Sequence, residues 1–240
     1  MTDSTRRDFL ISAASAGVAL SASASIANGA EAVTSTPPAF APIQPKPLSF
    51  DPAKLNGLSE KLIRSHWENN YGGSVKTLNA VKPRLADALA DKDTPPFVYG
   101  DLKREHLMRS GSVVLHELYF DNLGGDGKPD AATRKAFESA FGSFEAWEAE
   151  FRKIAGSLAG GSGWVITGYS VHTGTIENYW MADHLHSPTA TVPLLVMDMY
   201  EHSYAIDYGA AAAKYIDAFM QNVRWATVAE RLSRVRRPTI

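Results

Sequence analysis

The apolar run Pro193-Leu194-Leu195-Val196-Met197 ends directly on the carboxylate of Asp198. A short unbroken run of this kind reads as a strand buried on both faces. A carboxylate carried into such an interior is costly unless it is paired or bound to a cation. His202 follows four residues later, in Asp198-Met199-Tyr200-Glu201-His202. Two more histidines sit inside helical patterns: His66 beside Trp67, and His116 within the apolar stretch Val113 to Phe120. With no cysteine and seven histidines, the sequence excludes disulfides, thiolate catalysis and cysteine-bound zinc, and leaves imidazole as the strongest ligand. Three imidazoles and one carboxylate suit iron, manganese, cobalt or zinc, whereas calcium and magnesium prefer oxygen alone. Taken singly, His66 and His116 read more readily as hydrogen-bonded core residues than as ligands, Asp198 as a helix cap and His202 as a helix residue.

The 240 residues, 45% hydrophobic and 21% charged, suit a globular chain of one large or two small domains. A net charge of -2 gives no general affinity for nucleic acid or an anionic membrane. At the start, Arg6-Arg7-Asp8-Phe9-Leu10 precedes a mildly apolar run, Ile11 to Ile26, rich in Ala, Ser and Gly. That run is too short and small-sided for a stable membrane span. Residues 1–32 therefore read as a signal peptide with cleavage near Ala30-Glu31-Ala32. The Arg-Arg-x-Phe-Leu arrangement resembles a twin-arginine address for export of folded proteins, so a periplasmic or otherwise exported location is expected.

Residues 33–52 are proline-rich and read as a linker or extended arm. Leu58 to Asp91 has a helical pattern, with Ser59 as cap and an interruption at Gly72-Gly73. A loop is expected over Asp93 to Gly100, around Pro95-Pro96, and a second helix over Lys103 to Phe120. Gly124-Gly125-Asp126-Gly127, then Pro129, is the strongest internal breaker and marks a boundary between domains at 53–124 and 128–236. Helices follow over Ala131 to Phe141 and Phe144 to Leu158, the second capped by Ser143. Trp164 to Tyr169, Thr175 to Trp180 and Val192 to Met197 read as strands, and Tyr208 to Leu232 as a closing helix. The order predicts an α+β fold with an all-helical front half.

The segment Asp198-Met199-Tyr200-Glu201-His202-Ser203-Tyr204-Ala205-Ile206-Asp207-Tyr208 resembles the iron/manganese superoxide dismutase signature Asp-x-Trp-Glu-His-Ala-Tyr-x-x-Asp-Tyr. Ser59 to Asn79 is similar to that family's first helix, with His66 at its ligand position. Leu115-His116-Glu117-Leu118-Tyr119-Phe120 is similar to its second helix, and Phe141-Gly142-Ser143-Phe144 and Gly161-Ser162-Gly163-Trp164 resemble further stretches in the same order. The resemblance covers about residues 48–235. It implies an antiparallel helical hairpin domain, then a domain of helices around a three-stranded antiparallel sheet. It also implies one iron or manganese ion on His66, His116, Asp198 and His202, and conversion of superoxide to peroxide and oxygen. A homodimer or tetramer is implied as well, with Glu201 bonding to His202 of the partner subunit.

The resemblance further places His184, Asn70, Tyr71, Trp164 and Tyr200 around the metal. In the family a side chain, commonly Gln, hydrogen-bonds the metal-bound solvent. Here Ser112, one turn before His116, is too short for that, and Asp183-His184-Leu185-His186 occupies the alternative position. His184 is the expected partner and His186 the alternative. Where the family has a Tyr, eight residues after the first His, this chain has Ser74; Tyr71 replaces it only if Gly72-Gly73 distorts the helix. Asn70 and Ala205 stand where many members carry His and Tyr, and Tyr200 and Phe120 keep an aromatic wall with altered residues. Lys76 and Arg224 are open as sources of positive field. The rival readings are a metal-binding relative with little dismutase activity, a zinc hydrolase, and a metal-free binding protein on the same scaffold.

Overall fold

The computed structural model describes residues 40–235, so the expected signal peptide at 1–32 lies outside the described residues. Helix α1 (Glu60–Ser65) is capped by Ser59, whose hydroxyl accepts from the Leu62 N–H at 3.1 Å. Such a cap contributes about 1 kcal/mol. The helix then widens into a π turn over His66–Tyr71 before α2 (Gly72–Ala90) resumes the α pitch. The expected distortion is thus present, but it precedes Gly72-Gly73, and both glycines are helical. Helix α3 (Pro96–Asp121) starts earlier than the predicted Lys103. A proline at the first helical position lacks an amide that the helix would leave unpaired anyway, so Pro95-Pro96 begins the helix rather than holding a loop open. Helices α2 and α3 pack on each other across the short Asp91–Pro95 connection.

Helices α4 (Ala131–Phe141) and α5 (Phe144–Ser157) are capped by Asp130 and Ser143, with Gly142 turning between them at φ 85°. Their apolar faces meet in an aromatic core. Trp147 and Phe137 lie edge to face, ring centroids 5.0 Å apart, and Trp225 packs on both. The sheet has the order β2-β1-β3 with both pairs antiparallel, from β1 (Trp164–Ser170), β2 (Thr175–Met181) and β3 (Thr191–Asp198). In that register Trp164 stands directly opposite Asp198, so strand pairing itself sets an indole beside the carboxylate. Asn122, just beyond α3, accepts from the Val196 N–H at 3.0 Å and fastens the helical half to β3.

After a short α6 (Ala205–Tyr208), the predicted closing helix is instead two: α7 (Ala212–Gln221) and α8 (Trp225–Val235). Gly209 at φ 53° separates α6 from α7. Asn222 separates α7 from α8, because its side chain is committed to the backbone of Asn56, accepting at 2.9 Å and donating at 2.7 Å. A tertiary contact thereby overrides helical propensity. The arm before α1 is held by side chains as well. Asn79 pairs with both backbone groups of Ile43, at 3.0 and 2.8 Å, and Trp67 Nε1 donates to the Lys46 carbonyl at 2.9 Å.

Candidate metal centre

Three imidazole nitrogens converge on Asp198 Oδ2. His66 Nε2 lies 3.1 Å from it, His202 Nε2 3.2 Å and His116 Nε2 3.6 Å. One ligand atom from each of the four residues lies within 4.8 Å of all the others. Separations of this size are what donors sharing one ion show, since each bond to nitrogen or oxygen is about 2.0–2.2 Å long.

Each donor is positioned by a different device. His66 opens the π turn, a local widening frequent at functional sites. His116 lies in mid-helix and donates from Nδ1 to the Ser112 carbonyl at 2.7 Å, which turns Nε2 toward Asp198. Asp198 ends β3, and its Oδ1 accepts from the Tyr200 N–H at 2.8 Å. The Asp198 carbonyl accepts from Tyr215 Oη at 2.7 Å and Ser203 Oγ at 3.0 Å, so its backbone is fixed from two sides. His202 sits in a 3₁₀ turn, Glu201–Ser203, that the polar segment after the strand forms.

Burial pushes the His116 imidazole down to about 3, and the neighbouring His66 acts in the same direction. Burial likewise lowers His66. For Asp198 burial alone acts upward, but the facing His202 and His66 hold the carboxyl well below the usual carboxylate range. Neutral imidazoles and an ionised carboxylate are the forms that bind metal. Both nitrogens of His66 and Nε2 of His116 are buried with no hydrogen-bond partner among the described residues. Orphaned buried groups are rare in folded proteins, and a cation gives the Nε2 lone pairs the partner they lack. The donor set therefore fits iron or manganese, with His66, His116, Asp198 and His202 as the residues that would hold it.

A cavity of about 380 Å³ adjoins these donors, lined in part by Asn70, Ser74, Arg109, Ser112, His184 and Tyr200. Trp164 Nε1 donates to His184 Nδ1 at 3.0 Å. An indole N–H can only donate, so the neutral His184 ring carries its hydrogen on Nε2 and is a donor there. Tyr200 stacks on His184 with ring centroids 4.7 Å apart, and on His202 at 5.2 Å. Its phenol is pushed up to about 12 by burial, with Asp198 and Asp183 adding, and so stays protonated. Trp164 meets His116 edge-on at 5.1 Å, and Phe120 meets His66 at 5.0 Å.

Of the residues singled out in the sequence, His184, Asn70 and Tyr200 line this cavity, and Trp164 supports it from beneath. Tyr71 does not line it. The π turn carries its phenol to the arm, where it accepts from the Lys46 N–H at 2.7 Å and donates to Glu117 at 3.0 Å; its ring stacks behind His116. His186 is exposed and bonded to Asp183 at 2.9 Å, outside the cavity. Lys76 and Arg224 also lie elsewhere, Arg224 being committed to Thr227 and the Asp121 carbonyl. Among the described residues the arginine lining the cavity is Arg109, which the sequence reading missed and which is ion-paired through Nε with Glu105 at 2.6 Å. A second missed residue is Gly111, on which an added Cβ would lie 2.0 Å from the His184 carbonyl oxygen. The bare backbone there lets α3 pass close against the loop that carries His184.

The profile described as iron/manganese superoxide dismutases, C-terminal domain, matches residues 129–231. An iron superoxide dismutase of Cupriavidus metallidurans is 53% identical over 188 residues, covering 78% of this chain and 95% of that protein. An iron superoxide dismutase of Aquifex aeolicus is 36% identical over 199 residues, 80% of this chain and 92% of its own length. A manganese superoxide dismutase of Mycobacterium intracellulare is 30% identical over 188 residues, 77% and 89% of the two chains. Identity at this level across nearly the full length of such relatives, together with three imidazole nitrogens gathered on one carboxylate oxygen, means that this chain belongs to the iron/manganese superoxide dismutase family.

Proposed function

We propose that the protein is a superoxide dismutase that holds one iron or manganese ion on His66, His116, Asp198 and His202. The observation that carries this is the convergence of those four side chains beside a small polar cavity, in a chain 53% identical to an iron superoxide dismutase. Bound iron or manganese supplies a one-electron couple that accepts an electron from one superoxide and returns one to the next.

The chain's own residues supply the rest. Arg109, paired through Nε with Glu105 at 2.6 Å, places a guanidinium at the cavity, where its field draws a small anion inward. His184 offers its Nε2–H to the cavity, and the Trp164 indole keeps that hydrogen in place by occupying Nδ1. Tyr200 retains its phenolic proton and closes the wall over His184 and His202. Aromatic rings behind His66 and His116 keep bulk water from the donors. Peroxide formation consumes two protons for each pair of superoxide ions, and these donors give those protons a route.

The Arg6-Arg7 leader and Ala30-Glu31-Ala32 support export of the folded, loaded protein. Glu201, exposed beside the metal ligand His202, supports a homodimer that buries it. The deciding experiment pairs elemental analysis of the purified protein with superoxide decay followed by pulse radiolysis. Near-stoichiometric iron or manganese with rapid decay is expected, and His116→Ala should lose both metal and rate. Full metal with no decay beyond that of free metal ions would sink the proposal.

A further inference from the structure

Ser74 on α2 and Ser112 on α3 are both buried, and both line the cavity. Their hydroxyl oxygens are 2.8 Å apart, and Ser112 Oγ is 3.2 Å from His116 Nδ1. The proton order along this chain is fixed from its inner end. His116 turns Nε2 toward Asp198, so the neutral ring carries its hydrogen on Nδ1, where it donates to the Ser112 carbonyl. A protonated Nδ1 has no lone pair to offer, so Ser112 Oγ meets it only as an acceptor. The Ser112 hydrogen is then free, and its other oxygen neighbour among the described residues is Ser74 Oγ. Ser74 accepts that bond, and its own hydrogen has no further acceptor among the described residues.

The threonine hydroxyl nearby differs in this respect. Thr77 also lines the cavity, but its Oγ1 donates to the Gly73 carbonyl at 2.9 Å. Ser74 keeps a hydrogen to direct at whatever the cavity holds, as does the Tyr200 phenol that also lines it.

We infer that the Ser74 hydroxyl is a catalytic hydrogen-bond donor to the small anion taken into the cavity. Ser112 is a positioning residue that keeps the Ser74 lone pair occupied and its hydrogen turned outward. The inference rests on the reading of this cavity as the superoxide site. In that role Ser74 would stabilise the anion as negative charge gathers on it during reduction to peroxide, with the proton itself drawn from the cavity's solvent.

Azide, a small linear anion, is the probe. Iron-loaded wild type, Ser74→Ala and Ser112→Ala are titrated with azide by visible absorbance, with iron content measured for each. Loss of one hydrogen bond to a charged partner weakens azide binding by about tenfold in Ser74→Ala. Ser112→Ala, which frees the Ser74 hydrogen to turn away, should weaken it by a smaller factor at full iron content. An iron-replete Ser74→Ala that binds azide within about twofold of wild type overturns the inference. So does a wild type that holds iron but no azide. A wild type that binds azide without dismutating superoxide overturns the dismutase reading instead, and the Ser74→Ala titration then decides Ser74 on its own.

Discussion

Replacing Gly111 by alanine would set a methyl carbon 2.0 Å from the carbonyl oxygen of His184 and 3.1 Å from its carbonyl carbon. Carbon–oxygen contacts settle no closer than about 3.3 Å, so helix or loop must yield by roughly 1.3 Å. Neither yields freely. Next to Gly111 the helix carries buried Ser112, and the loop is tied through His184 Nδ1 to the buried Trp164 indole. Overpacking of this kind costs about 1–3 kcal/mol, and each kcal/mol lowers the melting temperature of a chain this size by roughly 2–4 °C. Gly100→Ala on the same helix is the control, because a Cβ there meets nothing within 4 Å. It should stabilise by about 0.4–1 kcal/mol, the opposite sign. Urea denaturation of the two variants gives the stability difference. The superoxide decay constant gives the functional one, since a shift on the order of 1 Å can cost up to about a hundredfold. A Gly111→Ala protein with wild-type stability and wild-type rate would refute both the close approach and its role in placing His184.

Protonation predicts a second behaviour, in chelator-treated protein. The unfolded chain binds protons at its histidines below about 6.5, whereas His116 is pushed down to about 3 in the fold and His66 is lowered too. The unfolded state therefore binds more protons, and stability falls as pH drops from about 6.5 toward 3, by up to about 1.4 kcal/mol per pH unit for each such histidine. Asp198, held below its ordinary 3.8, extends the loss to lower pH. Urea midpoints at pH 7, 6 and 5 test this, and a flat series would contradict it. Arg109→Gln should lower the bimolecular rate constant about three- to tenfold at low ionic strength, with the gap closing as salt is raised. Equal salt dependence in the two proteins would remove Arg109 from substrate attraction.

Of the four candidate ligands, Asp198 at the end of an apolar strand and His116 within an apolar helical stretch stand out locally, whereas His66 and His202 were legible only through the resemblance of their segments to those of the dismutase family. The order of helices and strands was legible from periodicity and glycine breaks. What escaped depends on contacts between segments far apart in the chain. Nothing near Asn222 announces that Asn56 will claim its side chain, so the closing helix looked continuous. The π turn displaced Tyr71 toward Lys46 and Glu117, an outcome that helical phase alone cannot give. Arg109 carried a usable signal, since it lies seven residues, two helical turns, before His116 and on the same face. Gly111 carried none, because its meaning resides in a loop more than seventy residues later in the sequence.

The ligands also sit very unevenly along the chain. Asp198 and His202 are four residues apart, whereas His66 and His116 come from the helical half. An ion bound by all four therefore clasps two stretches of backbone that sequence separates widely. Once the helices part from β3, the ion keeps two neighbouring ligands at most, because re-forming so long a loop is entropically uphill. Retention of the metal and integrity of the fold become one cooperative event. Loss of the ion should thus be paced by opening of the α3–β3 junction at Asn122 and Val196 rather than by the strength of any single bond.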